Sequence, residues 1–87
     1  MGSRLSQYLK SCRKTARLTQ HDVAEKMNLK SSQYISNVER GNCPPSVLML
    51  QIAANSYADP EEIVRLVVAE AEDRIRKQLK SKRLAAS

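Results

Sequence analysis

Signals that start and stop helices divide this chain of 87 residues into short segments. Thr19-Gln20-His21-Asp22 places a hydroxyl at an N-cap and a carboxylate three residues later, which is the pattern of a capping box. Gly41 followed by Pro44-Pro45 stops a helix, and Asp59-Pro60-Glu61-Glu62 starts another with proline at the first helical position. Apolar and polar residues alternate in no segment, so there is no strand signal. The chain is therefore predicted to be all-α.

Apolar side chains recur at helical spacing in five segments, which predict helices over about residues 4–15, 20–27, 32–39, 46–54 and 60–80. Asn28 tolerates a left-handed backbone and is predicted to end the second helix, while Ser31 and Ser32 offer N-caps for the third. The fourth helix is apolar on most sides and is predicted to be well buried. Together these segments predict one domain over residues 1–87, with five helices and an extended C-terminal helix.

The charge of the chain changes sign along its length. Residues 1–57 carry 8 Lys/Arg against 3 Asp/Glu (+5), residues 58–73 carry 1 against 6 (−5), and residues 74–87 carry 6 against 0 (+6). A basic front, an acidic middle and a basic tail suit a polyanion partner, although charged residues that merely face solvent are an equal alternative.

Several classes of function lack their sequence signals. Cys12 and Cys43 lie 31 residues apart in a chain with one histidine, so no zinc-ligand set exists and no metal or cofactor is expected. There is no Gly-rich phosphate loop, nucleophile–base set or paired acid site, so the chain is predicted not to be an enzyme. No apolar run approaches the ~20 residues of a membrane span. We expect a cytoplasmic protein without a membrane partner.

The third predicted helix has an outward face of unusual chemistry. Ile35 and Val38 form its apolar stripe, and uncharged polar residues lie opposite: Ser32, Gln33, Ser36 and Asn37. Amides match the donor–acceptor edge of adenine in the major groove, and hydroxyls adapt to several bases. A solvated face would more often carry Glu and Lys pairs. The two short helices joined by a tight turn predict a helix-turn-helix over about residues 19–41.

Three motifs in combination resemble a known family. Leu18-Thr19-Gln20, Val23-Ala24 and Ile35-Ser36-Asn37-Val38-Glu39-Arg40-Gly41 look like the helix-turn-helix family that includes the lambdoid phage repressors, often called the XRE family. The resemblance covers about residues 5–67 and implies a compact five-helix, lambda-repressor-like domain, with the third helix in the major groove. The chain departs from the common family spacing by one extra residue near Lys30, and Asn28 replaces the usual turn glycine.

The resemblance also implies roles for individual residues. Ser32, Gln33, Ser36 and Asn37 match positions that read bases, while Gln20, Arg40 and Asn42 match positions that contact the DNA backbone. The longer turn and the basic charge add three phosphate contacts: Lys30, Ser31 and Arg17. Arg13 and Glu39 match a family pair that ties the first helix to the end of the third, so their predicted role is structural.

The predicted function is a DNA-binding transcription regulator, a repressor, that binds a palindromic operator as a homodimer. One recognition helix buries too little surface for tight specific binding, so two copies are expected. The fourth and fifth helices are predicted to form the interface, through Val64, Val67, Val68, Ala71 and Ile75. The basic tail is expected either to contact flanking phosphates or to lie free. Two alternatives stay open: an antitoxin that also binds a small toxin partner, and an RNA-binding protein that lacks aromatic stacking platforms.

Overall fold

The computed structural model describes the backbone of residues 3–86 and the side chains of residues 3–80. The described chain forms five helices and no strands: α1 (Arg4–Thr15), α2 (Gln20–Lys26), α3 (Gln33–Glu39), α4 (Val47–Ser56) and α5 (Pro60–Ala86). The predicted all-α fold is confirmed, and the first four helices end within two residues of their predicted bounds. The prediction that the last helix ends near residue 80 is wrong. No glycine or proline follows Pro60, and Lys, Arg, Leu and Ala continue a helix readily.

The helix starts follow the predicted caps with one exception. The Thr19 hydroxyl accepts a hydrogen bond from the Asp22 N–H at 3.0 Å, and the Asp22 carboxylate accepts one from the Thr19 N–H at 2.8 Å, which completes the capping box. This second bond lowers the pKa of Asp22. Ser32 occupies the N-cap position of α3 without a side-chain bond. Instead the Ser31 hydroxyl accepts from the Gln33 N–H at 3.4 Å.

The first three helices end in the same way. A left-handed residue follows each of them: Arg17 (φ 61°), Asn28 (φ 63°) and Gly41 (φ 80°). In each case the next N–H donates to the carbonyl five residues earlier, as in a Schellman motif, with Leu18 bonded to Arg13, Leu29 to Ala24 and Asn42 to Asn37. Asn28 thus ends α2 as predicted. Only one of the three positions is glycine, and at Arg17 the left-handed backbone costs about 1–2 kcal/mol.

The core lies where the first four helices meet, and the largest of its wholly buried side chains are Leu9, Val23, Ile35, Val38 and Met49. The prediction of a well-buried fourth helix is wrong. Met49 and Ala53 of α4 are buried, but Val47 and Leu48 are 72% and 49% exposed. Leu50, Ile52 and Ala54 are half-buried against the core, so only the first turn of α4 exposes large apolar side chains.

Helix α5 is attached to the domain through its first half. Ile63 enters the core, and the Glu70 carboxylate accepts a hydrogen bond from the Leu5 N–H at 3.1 Å, at the first turn of α1. Just before α5 the Tyr8 hydroxyl accepts from the Asp59 N–H at 3.0 Å, and burial raises the pKa of Tyr8. From Glu72 to Lys80 every residue is exposed. The second half of α5 therefore projects beyond the packed body.

Candidate nucleic-acid interface

Helix α3 turns an apolar side inward and a polar side outward. Ile35 and Val38 are wholly buried, whereas Gln33 is exposed and Ser36 and Asn37 are half-buried on the opposite side. Ser32 precedes the helix and lies at the edge of this outer face, ~100° around the axis from Gln33. The four side chains predicted to read bases therefore lie together, on or beside the solvent side of a seven-residue helix.

The predicted pair of Arg13 and Glu39 is present and buried. The Arg13 Nε donates to Glu39 Oε2 at 2.7 Å and its Nη2 donates to Oε1 at 3.0 Å, so the contact is bidentate. The two residues are only 7% and 5% exposed. The hydrogen bonds that Arg13 donates to the Glu39 carboxylate raise the pKa of Arg13 above its usual value. A third donor, Arg13 Nη1, bonds the Leu18 carbonyl at 2.7 Å. These contacts fix the end of α3 against α1.

Gln20, predicted to contact phosphate, is held by the same carboxylate. Its Nε2 donates to Glu39 Oε1 at 3.0 Å. Because a carboxylate accepts hydrogen bonds and does not donate them, this contact determines which end of the amide faces Glu39. Gln20 thus joins the start of α2 to the end of α3, and one N–H of its amide remains for the predicted phosphate contact.

Asn37 and Arg40 bond to each other on the outer face. The Arg40 Nη2 donates to Asn37 Oδ1 at 2.9 Å, and a guanidinium can only donate, so the carbonyl end of the amide faces Arg40. The free end of Asn37 offers N–H donors, which suit the acceptors of guanine, of adenine N7 or of thymine O4. The expected two-bond contact with adenine would require Arg40 to release Oδ1. The three-residue spacing of the pair on a helix is the signal that sequence reasoning missed.

The other predicted phosphate contacts lie in the turns between helices. Lys30 and Ser31 are exposed in the turn before α3, Asn42 is exposed just after it, and Arg17 is exposed in the turn between α1 and α2. Each of these three turns contains one of the left-handed residues described above, and hydrogen bonds hold its backbone.

Two tyrosines without a predicted role lie next to α3. The Tyr34 hydroxyl donates to the Pro44 carbonyl at 3.4 Å and accepts from the Ser46 N–H at 2.8 Å, which links α3 to the start of α4. The Tyr57 hydroxyl is buried beside Glu39 and has no hydrogen-bond partner among the described residues. Burial, together with the nearby Glu39 charge, raises the pKa of Tyr57 to about 12.

The residues predicted to form a dimer interface all lie on α5. Val64, Val68 and Ile75 are 61%, 50% and 54% exposed, Val67 is 37% exposed, and Ala71 is half-buried. Within the described part of the chain no three His, Cys, Asp or Glu side chains cluster in a way that could hold a metal ion. None of the described helices has the length and apolar character needed to cross a membrane.

Comparison with protein families gives a match over residues 9–58, and the matching family is described as helix-turn-helix. The match covers 50 of the 87 residues. The chain belongs to the XRE family of helix-turn-helix proteins. No individual curated protein and no solved structure matched the chain.

Membership of the XRE family makes this a DNA-binding domain and assigns duplex DNA as its partner. The matched residues run from α1 to the end of α4 and include the whole helix-turn-helix, with the Arg13–Glu39 pair that supports it. They end before Pro60, so α5 lies outside the matched XRE pattern. The family match therefore concerns the DNA-binding face and does not include the long helix α5.

Proposed function

We propose that the chain is a sequence-specific transcription regulator that binds a two-fold symmetric operator as a homodimer, with α3 in the major groove. The observation that carries this proposal is the two-sided chemistry of α3. One side is buried and attached to α1 and α2 through Glu39, and the other presents short uncharged hydrogen-bonding side chains. A rigid helix with such a face is suited to base edges, because small errors in position are costly for hydrogen bonds.

In this proposal the two groups of residues contribute differently. Ser32, Gln33, Ser36 and Asn37 read bases, and the backbone is contacted by Gln20, Lys30, Ser31, Arg40, Asn42 and Arg17. Each neutralised phosphate releases condensed counterions, so affinity should fall steeply with salt. With six to ten phosphate contacts, raising the salt concentration from 50 to 200 mM should weaken binding by about a thousandfold or more. A flat salt dependence would contradict the assigned phosphate contacts.

The homodimer follows from the size of one recognition helix. A seven-residue helix contacts only a few base pairs, and a second copy doubles the contact and places two half-sites about one helical turn, ~34 Å, apart. Repression is the simplest consequence, because a protein that occupies an operator within a promoter blocks access to it. A reporter gene placed behind the selected operator should be expressed less when the chain is present. Increased expression would instead indicate an activator.

Selection of bound duplexes from a random pool tests the proposal as a whole. The expected result is an inverted repeat whose half-sites each span a few base pairs. Enrichment of a single unrepeated half-site would contradict the homodimer and leave base readout in place. Equal recovery of all sequences would contradict readout by α3. Copurification of a small protein that covers α3 would favour the antitoxin alternative.

A further inference from the structure

Helix α5 carries a second apolar stripe, separate from the side that packs on the domain. The packed side contains Ile63, which is 5% exposed. The second stripe consists of residues spaced by four, three, four and four positions: Val64, Val68, Ala71, Ile75 and Leu79. At ~100° per residue all five lie within a sector of ~80°. Its four large members are 50–62% exposed, and they span about four turns of the helix.

The two halves of this stripe have different surroundings. Beside Val64 and Val68, the first half borders a groove of about 320 Å³ between α4 and α5. The groove is lined by apolar side chains and one glutamine, and Val47, Leu50 and Ala54 contribute its α4 wall. The second half carries Ile75 and Leu79 on a stretch where every described residue is exposed. One chain therefore offers both an apolar groove and an apolar ridge.

The charges of α5 also divide at its middle. Residues 60–73 carry five acidic residues and one basic residue, a net charge of −4. Residues 74–80 carry four basic residues and no acidic one, a net charge of +4. Two parallel copies of this helix would place like charges side by side at both ends. Two antiparallel copies would place the acidic half of each beside the basic half of the other.

We propose that α5 pairs antiparallel with α5 of a second copy of this chain, about a two-fold axis between residues 71 and 72. Val64 then lies opposite Leu79 of the other copy, and Val68 lies opposite its Ile75, because each pair of numbers sums to 143. The ridge of each copy fills the groove of the other, which is the self-complementary contact that a two-fold axis requires. The proposal rests on the proposed homodimer and specifies how its two copies meet.

Cross-linking of single-cysteine chains tests the antiparallel arrangement of the two α5 helices directly. The native thiols, Cys12 and Cys43, are unpaired and are first replaced by serine. Val64→Cys is made in one chain and Leu79→Cys in a second chain that carries a tag, and the two are mixed without DNA and treated with a short bis-maleimide. The antiparallel pair is expected to give the mixed product, Val64→Cys joined to Leu79→Cys, and little product from either chain alone.

Two further variants complete the cross-linking set. Ala71→Cys lies beside the axis and should link to itself. Asp73→Cys lies ~160° around the helix from Ala71, is more exposed than Ala71, and should not link. Efficient self-linking of Val64→Cys and of Leu79→Cys would overturn the antiparallel order in favour of a parallel one. That result would leave the DNA-binding homodimer intact, since operator selection tests the homodimer separately.

Self-association measured by sedimentation provides an independent test. Ile75→Asp places a charge on the ridge and should raise the dimer dissociation constant at least tenfold, with unchanged helix content by circular dichroism, because Ile75 is exposed in the single chain. Asp73→Asn is the matched control on the far side and should have little effect. A chain that stays monomeric at tens of micromolar, or an Ile75→Asp variant that associates normally, would overturn the proposal.

Discussion

Helices α3 and α5 both expose one side. Contacts within the chain hold α3 firmly from behind, whereas much of α5 has no such contacts. Behind α3 stand the Arg13–Glu39 pair, the Gln20 amide and the Tyr34 hydroxyl, so a helix of only seven residues is held from three directions. Helix α5 has 27 residues, and its stretch from Glu72 to Lys80 is exposed throughout.

This difference matches what each face would have to do. Hydrogen bonds to bases tolerate little error in position, so a readout helix benefits from a rigid support in its own chain. An apolar stripe that lacks support in its own chain gains most when a partner covers it, because burial of apolar area is favourable whatever the partner. Substitutions matched between the two helices can sharpen this contrast or remove it.

The largest effect is expected at the carboxylate behind α3. Glu39→Ala leaves the buried Arg13 guanidinium without its partner and should lower the free energy of unfolding by about 3–5 kcal/mol. The matched control is Glu62→Ala on α5. Its ion pair spans 3.6 Å to the exposed Arg65 and should contribute less than about 1 kcal/mol. Denaturant titrations of both variants measure the difference. Equal losses would mean that the support of α3 is no stronger than a surface ion pair.

The same substitution in both helices separates packing within the chain from packing between chains. Ile35→Ala removes a wholly buried side chain from α3 and should cost about 2–5 kcal/mol at any protein concentration. Ile75→Ala removes one that is 54% exposed and should cost little in dilute solution. If α5 pairs with α5 of a second copy, the loss of stability caused by Ile75→Ala grows as the protein concentration is raised. Thermal melts over a range of concentrations would distinguish these cases.

On the outer face of α3 the expected effect is on sequence preference. Asn37→Ala should lose about 1–3 kcal/mol of discrimination at one base pair of each half-site. Because Arg40 holds Asn37 Oδ1, Arg40→Ala should weaken binding to all duplexes and also alter the preference at that same base pair. Lys30→Ala should produce only a uniform loss. Binding measured on a panel of single-base operator variants distinguishes the three, and a uniform loss for Asn37→Ala would exclude it from readout.

The smallest effect concerns Tyr57 and alkaline pH. Burial raises its pKa to about 12 in the folded chain, against about 10 in the unfolded chain. The stabilisation of the neutral phenol is therefore complete below pH 10 and is lost as the pH rises from 10 to 12. Although its hydroxyl is buried, Tyr57 as a whole is only half-buried, which keeps this loss to about 1–2 kcal/mol. Tyr57→Phe should lose less stability than the native chain between pH 8 and pH 11. An identical pH dependence would place the Tyr57 hydroxyl in contact with solvent.

Local features of the fold were predictable from the sequence because they depend on neighbouring residues. The capping box at Thr19, the left-handed end at Asn28 and the helix start at Asp59 are all built within four residues. The left-handed Arg17 carried no such signal, since nothing in its side chain favours that backbone. The continuation of α5 beyond residue 80 was also missed, because the apolar periodicity that defined the helix fades before its helix-forming residues end.

Contacts between distant residues were harder to predict. The Arg13–Glu39 pair was expected only through family resemblance, and no sequence pattern indicated the bond from Gln20 to the same carboxylate. Apolar composition alone predicted that α4 would be buried, yet Val47 and Leu48 face outward. The sequence shows that a residue is apolar, but it does not show whether the residues that cover it belong to the same chain.

The way in which α3 is held has a practical consequence for engineering. Glu39 binds side chains from two other helices, while Gln33, Ser36 and Asn37 point away from that junction. These outer positions can be randomised in a library with little cost to folding, which makes the domain a compact scaffold for new operator preferences. Any such library should vary residues 37 and 40 jointly, since changing one of them reorients the other.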